Sequence, residues 1–179
     1  MTDPGLELTY RVTKLAPGYD LGAFDCGAPG YNEWLVRHAA SSVQAGVSAV
    51  YLLLEEHEDT SRVVGYYAIS PTQVVRDDVP KSLSRGWPQR VPAWKLGKLA
   101  VHVDLRADKD AQWGRQLLRD ALETIVSVAD AGGGKVIVVD ADNNGLVGFY
   151  ARNGFKTTGT EGDLALFMKV STARKALTA

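Results

Sequence analysis

Leu6, Leu8, Tyr10 and Val12 alternate with polar residues, a period of two that predicts a half-buried strand. The turn-forming run Asp25-Cys26-Gly27-Ala28-Pro29-Gly30 follows, and Pro29 suits the first turn of a helix, where its missing N–H is no loss. Tyr31, Trp34, Leu35, His38 and Ala39 then recur at helical spacing. Two apolar runs, 48–54 and 63–70, flank the charged loop 55–62 and predict a hairpin. Between Pro71 and Lys95, Pro80, Pro88 and Pro92 interrupt any regular element, which predicts loop with a short helix at most. Residues 96–103 are apolar enough for a central strand. The clearest helix is 112–129, where Leu117, Leu118, Ala121, Leu122, Ile125, Val128 and Ala129 make one stripe and Gly132-Gly133-Gly134 ends it. Residues 136–139 predict a buried strand, 146–153 a two-turn helix closed by Gly154, and 155–158 with 164–170 a last hairpin. The order β, α, β-β, loop, β-α, β-α, β-β predicts an α/β fold with a mixed sheet and helices on both faces. It fills a single domain, 1–170, with a flexible tail at 171–179.

Composition narrows the function classes. With 179 residues, 45% of them hydrophobic and 23% charged, the chain is one ordinary globular domain and not a disordered one. Twenty Lys and Arg against 21 Asp and Glu leave a net charge of -1, so bulk charge drives binding to neither nucleic acid nor an anionic membrane. That balance hides a local excess: Lys81, Arg85, Arg90, Lys95 and Lys98 fall within residues 81–98, a stretch without an acid. The stretch reads either as a solvated loop or as a face for RNA phosphates. The one cysteine, Cys26, forms no internal disulfide, and no Cys/His cluster has zinc spacing. The polar start, Met1-Thr2-Asp3-Pro4-Gly5, does not read as a signal peptide, and no apolar run is long enough for a bilayer. A reducing cytoplasm is the expected compartment.

Chemistry enters with the second half of the chain. The strand, loop and helix of 96–129, followed by Asn143…Phe149-Tyr150…Gly154-Phe155, resemble the GCN5-related N-acetyltransferase (GNAT) family. Gly148-Phe149-Tyr150-Ala151-Arg152-Asn153-Gly154-Phe155 looks like that family's FYxxxGF signature, and the likeness in element order covers nearly the whole chain. Phe24-Asp25-Cys26-Gly27, Val64-Gly65-Tyr66-Tyr67-Ala68-Ile69-Ser70 and Lys98-Leu99-Ala100-Val101 are similar to the GNAT toxins of bacterial toxin–antitoxin pairs. Those toxins acetylate the free amino group of aminoacyl-tRNA. The resemblance implies a GNAT fold, a mostly antiparallel central sheet splayed at the cofactor site, with acetyl-CoA as cosubstrate and no metal. It also implies inhibited translation, a DNA-binding antitoxin whose tail covers the active site, and a homodimer, for which Trp87 and Trp94 are expected to be exposed.

Carried over residue by residue, the resemblance names a site. A helix N-terminus offers unpaired N–H groups and a positive dipole end to a pyrophosphate. The family's R/Q-x-x-G-x-G/A loop falls here on Lys109, Asp110, Ala111, Gln112, Trp113 and Gly114, with Arg115 and Gln116 beyond it. Lys109 replaces Arg or Gln, Gln112 stands where the second glycine belongs, and Asp108 and Asp110 bring negative charge that Lys109 and Arg115 offset. Leu99, Ala100 and Val101 would pair by backbone with the pantetheine arm. Tyr150 would protonate the leaving thiolate, since a phenol holds its proton at working pH; its alternative is to pack beside Leu146, Phe149 and Asn153. Asn143 would hydrogen-bond the cofactor arm, or simply cap a helix, and Phe149 lines the same site. His102, Glu33 or a water are the possible bases, whereas His38 and His57 lack the spacing and Cys26 reads as a turn residue. Arg37, Arg85, Arg90 and Lys98 are the expected rim contacts for tRNA or antitoxin. Two alternatives stay open: acetylation of a small or protein amine, and a cofactor-binding module without turnover.

Overall fold

The alternating start of the chain becomes β1 (Thr9–Lys14), an edge strand paired antiparallel with β2 (Ala49–His57) from Thr9↔Glu56 to Lys14↔Tyr51. A computed structural model describes residues 7–179, so Leu6 and the 1–5 segment read above lie outside the described residues. Pro29 opens α1 (Pro29–Arg37) in its first turn, and α2 (Ala39–Gln44) follows a break at His38. β2 and β3 (Thr60–Val75) form the expected hairpin, with Glu58 in its turn at φ 50°.

The segment 71–95 is strand where loop was expected. β3 runs through Pro71 to Val75, and β4 (Arg90–Val101) starts before Pro92, leaving only a 3-10 turn (Arg76–Asp78) and α3 (Lys81–Ser84) between them. Alternation outweighs the prolines: Val91 and Ala93 are buried while Arg90 and Pro92 are exposed. A proline removes only its own ladder donor, and the Pro92 carbonyl still accepts from Lys135 N–H at 2.8 Å. After β4 come α4 (Val103–Arg106), a single turn missed by periodicity, and the long α5 (Trp113–Gly132). Gly133 and Gly134 stop α5 at φ 86° and 119°, and a Cβ on Gly134 would lie 2.5 Å from the Trp94 ring. β5 (Val136–Asp140), α6 (Asn144–Arg152), β6 (Lys156–Thr157) and β7 (Ala165–Lys169) follow as expected.

The tail expected to be flexible from Ser171 is instead α7 (Val170–Thr178). Its apolar stripe holds it: Val170 and Ala173 are buried, Arg174 pairs with Asp130, and Arg119 donates to the Leu177 carbonyl at 3.1 Å.

The strands form one mixed sheet in the order β1-β2-β3-β4-β5-β7-β6. β4 and β5 are parallel, while β5/β7 and β6/β7 are antiparallel. The chain packs as two units. In the first, up to Ala68 plus Lys98–Leu117, Leu35, Ala39, Leu52, Leu54 and Tyr66 form a core that Tyr31 and Trp34 of α1 cover. Leu53 points to the opposite sheet face, where Leu117 of α5 lies 3.2 Å from any Cβ on Gly65. In the second, Ile69–Gly97 plus Leu118–Ala179, the segment carrying Val79 and Trp87 covers Val91, Val136, Val138 and Phe167. Met168, on the other face, meets Gly154 after α6. Helices thus lie on both faces, as expected. The two tryptophans do not offer a free surface: Trp87 is 8% exposed, and half-buried Trp94 donates to the Gly133 carbonyl at 2.9 Å.

Candidate functional site

In the second unit, α6 delivers Tyr150. Asn143 caps the helix, its side-chain oxygen accepting from Leu146 N–H at 3.0 Å, and Gly154 at φ 96° turns the chain back. Tyr150 is buried edge-on between Phe149 and Phe155, with ring centroids at 5.1 and 5.6 Å. Its hydroxyl has no hydrogen-bond partner among the described residues, and none of their fully enclosed side-chain polar atoms lacks one, so the hydroxyl opens to solvent. Burial raises the phenol pKa well above its ordinary value, and the Asp142 carboxylate adds to the shift. The arrangement can do one thing well: present a neutral O–H donor. Asn143 is exposed and Phe149 half-buried, so both have atoms left over for a ligand.

In the first unit, β4 and α5 bring the other predicted residues. The β4/β5 ladder comprises Ala93, Trp94 and Lys95 on β4. Leu99, Ala100 and Val101 lie beyond it, without a β5 partner, as pairing with a ligand arm requires. The loop after α4 leaves Lys109 exposed and leads into α5 at Trp113. Gln112 takes φ 50°, the left-handed conformation that glycine would supply at that position, so the substitution keeps the loop's path. Asp108 accepts from Asp110 N–H and Ala111 N–H, both at 3.1 Å. Two donors of the loop are therefore engaged, and the N–H groups of Trp113, Gly114 and Arg115, in the first turn of α5, are the ones left to an anion. The Gln116 side chain reaches back to the Ala111 carbonyl, the Trp113 ring packs at a tilt 4.4 Å from that of Tyr10, and Lys109 and Arg115 have no ion pair among the described residues.

The possible bases are occupied elsewhere. His102 is buried, and its Nδ1 accepts from Asp104 N–H at 3.1 Å, which caps α4; Glu33 pairs with Arg37 at 3.0 Å. The motif at 24–27 is a tie for α1. Asp25 accepts from Gly27 N–H and Asn32, bonds that hold its carboxyl below the usual carboxylate range, and Cys26 N–H donates to Asn32. Of the basic stretch, Lys95 pairs with Asp140 at 2.9 Å, and Lys98 sits over the Tyr31 and Trp34 rings at 5.0 and 5.6 Å. Lys81, Arg85 and Arg90 stay exposed, and no ion pair among the described residues engages them. The stretch is not one basic patch.

A cavity of about 660 Å³ in the second unit escaped sequence reasoning. Val79, Val138 and Phe167 floor it, while Asp77, Asp78, Asp140 and Asp163 line it. Its acids come from three separate segments, so no local signal announces it.

No protein-family model matches the chain. It is 30% identical over 157 residues to the tRNA-acetylating toxin of Mycobacterium tuberculosis, covering 87% of this chain and 90% of that protein. AtaT complexed with acetyl-methionyl-tRNAfMet has the same fold at a TM-score of 0.82 and 27% identity, over 97% of this chain and 100% of that one. A tyrosine-to-phenylalanine variant of AtaT, bound to the C-terminus of the antitoxin AtaR and acetyl-CoA, follows at 0.78 and 25%, over 95% and 99%.

Proposed function

This chain belongs to the GNAT-type tRNA-acetylating toxins, and from that premise we propose that it transfers the acetyl group of acetyl-CoA to the α-amine of aminoacyl-tRNA. The observation that carries the mechanism is Tyr150, buried, without a partner for its hydroxyl among the described residues, and holding its proton above the ordinary phenol pKa. The amine nitrogen attacks the thioester carbonyl, the C–S bond breaks, and the departing sulfur takes the Tyr150 proton; the ammonium formed gives its extra proton to water, and water returns one to the Tyr150 phenolate. On β4 the backbone of Leu99–Val101 has no β5 partner and is free on that side for the pantetheine arm. Asn143, exposed at the start of α6, is a hydrogen-bonding residue for the cofactor. Lys109, Arg115 and the first N–H groups of α5 hold the pyrophosphate, with Asp108 shaping the loop. The cavity of the second unit, lined by four aspartates and Lys81, suits a cationic group better than a phosphate, which supports an amine-bearing acceptor there.

The relatives' complexes support two further parts of the reading. Likeness to AtaT bound to the antitoxin AtaR and to the KacTA-DNA complex supports a DNA-binding antitoxin partner, and an aminoacyl-tRNA acceptor supports work in the cytoplasm. Among the described residues, no helix is long and apolar enough to cross a membrane.

The experiment is incubation of the protein and of Tyr150→Phe with labelled acetyl-CoA and a pool of charged tRNAs. Label enters aminoacyl-tRNA with the native chain, and the variant is slower by about 10²-fold or more with acetyl-CoA affinity retained. Equal rates would remove Tyr150 from the chemistry. Label absent from tRNA despite tight acetyl-CoA binding would move the acceptor to a small or protein amine. A module without turnover, the reading favoured by Asp108 holding two loop donors, releases no thiol with any amine.

A further inference from the structure

At the other end of the second unit's strands lies a basic cavity of about 300 Å³, formed by Trp87, Lys135, Lys169, Ser171 and Arg174 with neighbouring backbone. We propose that it binds a phosphodiester of an RNA backbone. The proposal rests on the reading of a tRNA acceptor and adds a contact remote from the reacting group.

Folding brings the cations together. Val136 pairs across strands with Lys169, and Val170 N–H donates to the Lys135 carbonyl at 3.0 Å, so the start of β5 and the start of α7 are locked side by side. Lys135 and Lys169 have no ion pair among the described residues, whereas Arg174 is paired with Asp130. The second observation is Trp87. It is only 8% exposed, and its indole N–H finds no acceptor among the described residues. No fully enclosed side-chain polar atom among them lacks a partner, so this N–H reaches solvent, and Trp87 lines the basic cavity.

An indole N–H can only donate, and Trp87 shares its cavity with Lys135 and Lys169, with Lys135 Nζ 5.7 Å from the ring centroid. α7 adds the positive end of its dipole, and Ser171 a hydroxyl, in its first turn. Donors and positive charge from three segments suit an oxyanion with several acceptor oxygens. The cavity adjoins the N-terminal end of β5, while Asn143 and α6 leave from its C-terminal end, a separation of about 17 Å for a five-residue strand. Contact there reaches along a bound RNA arm and not to its reacting end.

The test uses the full chain labelled with nitrogen-15, the Trp87 indole N–H resonance being assigned with Trp87→Phe. Uncharged tRNA shifts that resonance in the native chain and not in the double variant Lys135→Gln/Lys169→Gln. The double variant binds tRNA about 10-fold more weakly, and the slope of log affinity against log salt falls by about 2, the loss of two phosphate contacts. Lys135→Arg/Lys169→Arg keeps the native slope, and acetylation of a small aminoacyl ester is unchanged in all three proteins. A Trp87 resonance that ignores tRNA, or a native slope in the glutamine variant, overturns the proposal. A response to inorganic phosphate without one to tRNA also overturns it, leaving a small-anion site. Should the native chain acetylate no charged tRNA while tRNA still shifts Trp87, the acceptor reading fails and this site stands.

Discussion

Gln112 shows how much one residue's conformation decides. In sequence it reads as a lost glycine in an anion-binding loop; in the structure it occupies φ 50° anyway. An L-residue in the left-handed region costs about 1–2 kcal/mol, which the surrounding loop sustains through Asp108 and Gln116. Gln112→Gly relieves that strain, so its melting temperature is expected to rise by about 2–4 °C with the loop path and acetyl-CoA affinity retained, by thermal denaturation and titration. An unchanged or lower melting temperature would mean that the position carries no strain. Tyr150 is legible at the same scale from its signature, yet its burial and its partnerless hydroxyl, the properties a general acid needs, come from the packing of Phe149 and Phe155.

Among the elements, periodicity served well where one face packs and poorly where two cues conflict. The stripe on α5 is plain in sequence because apolar residues recur every third or fourth position over more than three turns, from Leu117 to Ala129. β3 and β4 outrun their sequence expectation because a proline removes only its own ladder donor, and Val91 and Ala93 alternate with exposed neighbours across Pro92. α7 is short and amphipathic, and only the surface it lies on distinguishes it from a frayed end. Ala173, with no exposed surface, is the check: Ala173→Asp buries an unpaired carboxylate and is expected to lower stability by about 2–4 kcal/mol in urea unfolding. A flexible tail would leave the unfolding midpoint where it was.

For the molecule as a whole, a net charge of -1 conceals its organisation. Acids collect in one cavity and lysines in another, and attraction to RNA depends on such local fields and not on the total. Cofactor binding is likewise a property of the folded chain. Acetyl-CoA at about 100 times its dissociation constant is expected to stabilise it by about 2.7 kcal/mol, seen as a higher melting temperature. No shift at any concentration would mean that the Asp108 loop has abandoned the cofactor. The sequence by itself determined the element order, the α5 stripe, the helix stop at the glycines and the motif around Tyr150. Each is a short-range pattern, set by backbone geometry and neighbours a few residues away. Only the tertiary structure decided that Lys95 and Lys98 are engaged, that Trp87 is buried, and that Lys135 and Lys169 meet beside it. Those facts depend on residues far apart in the chain, whose proximity is created by strand pairing and core packing and leaves no local trace.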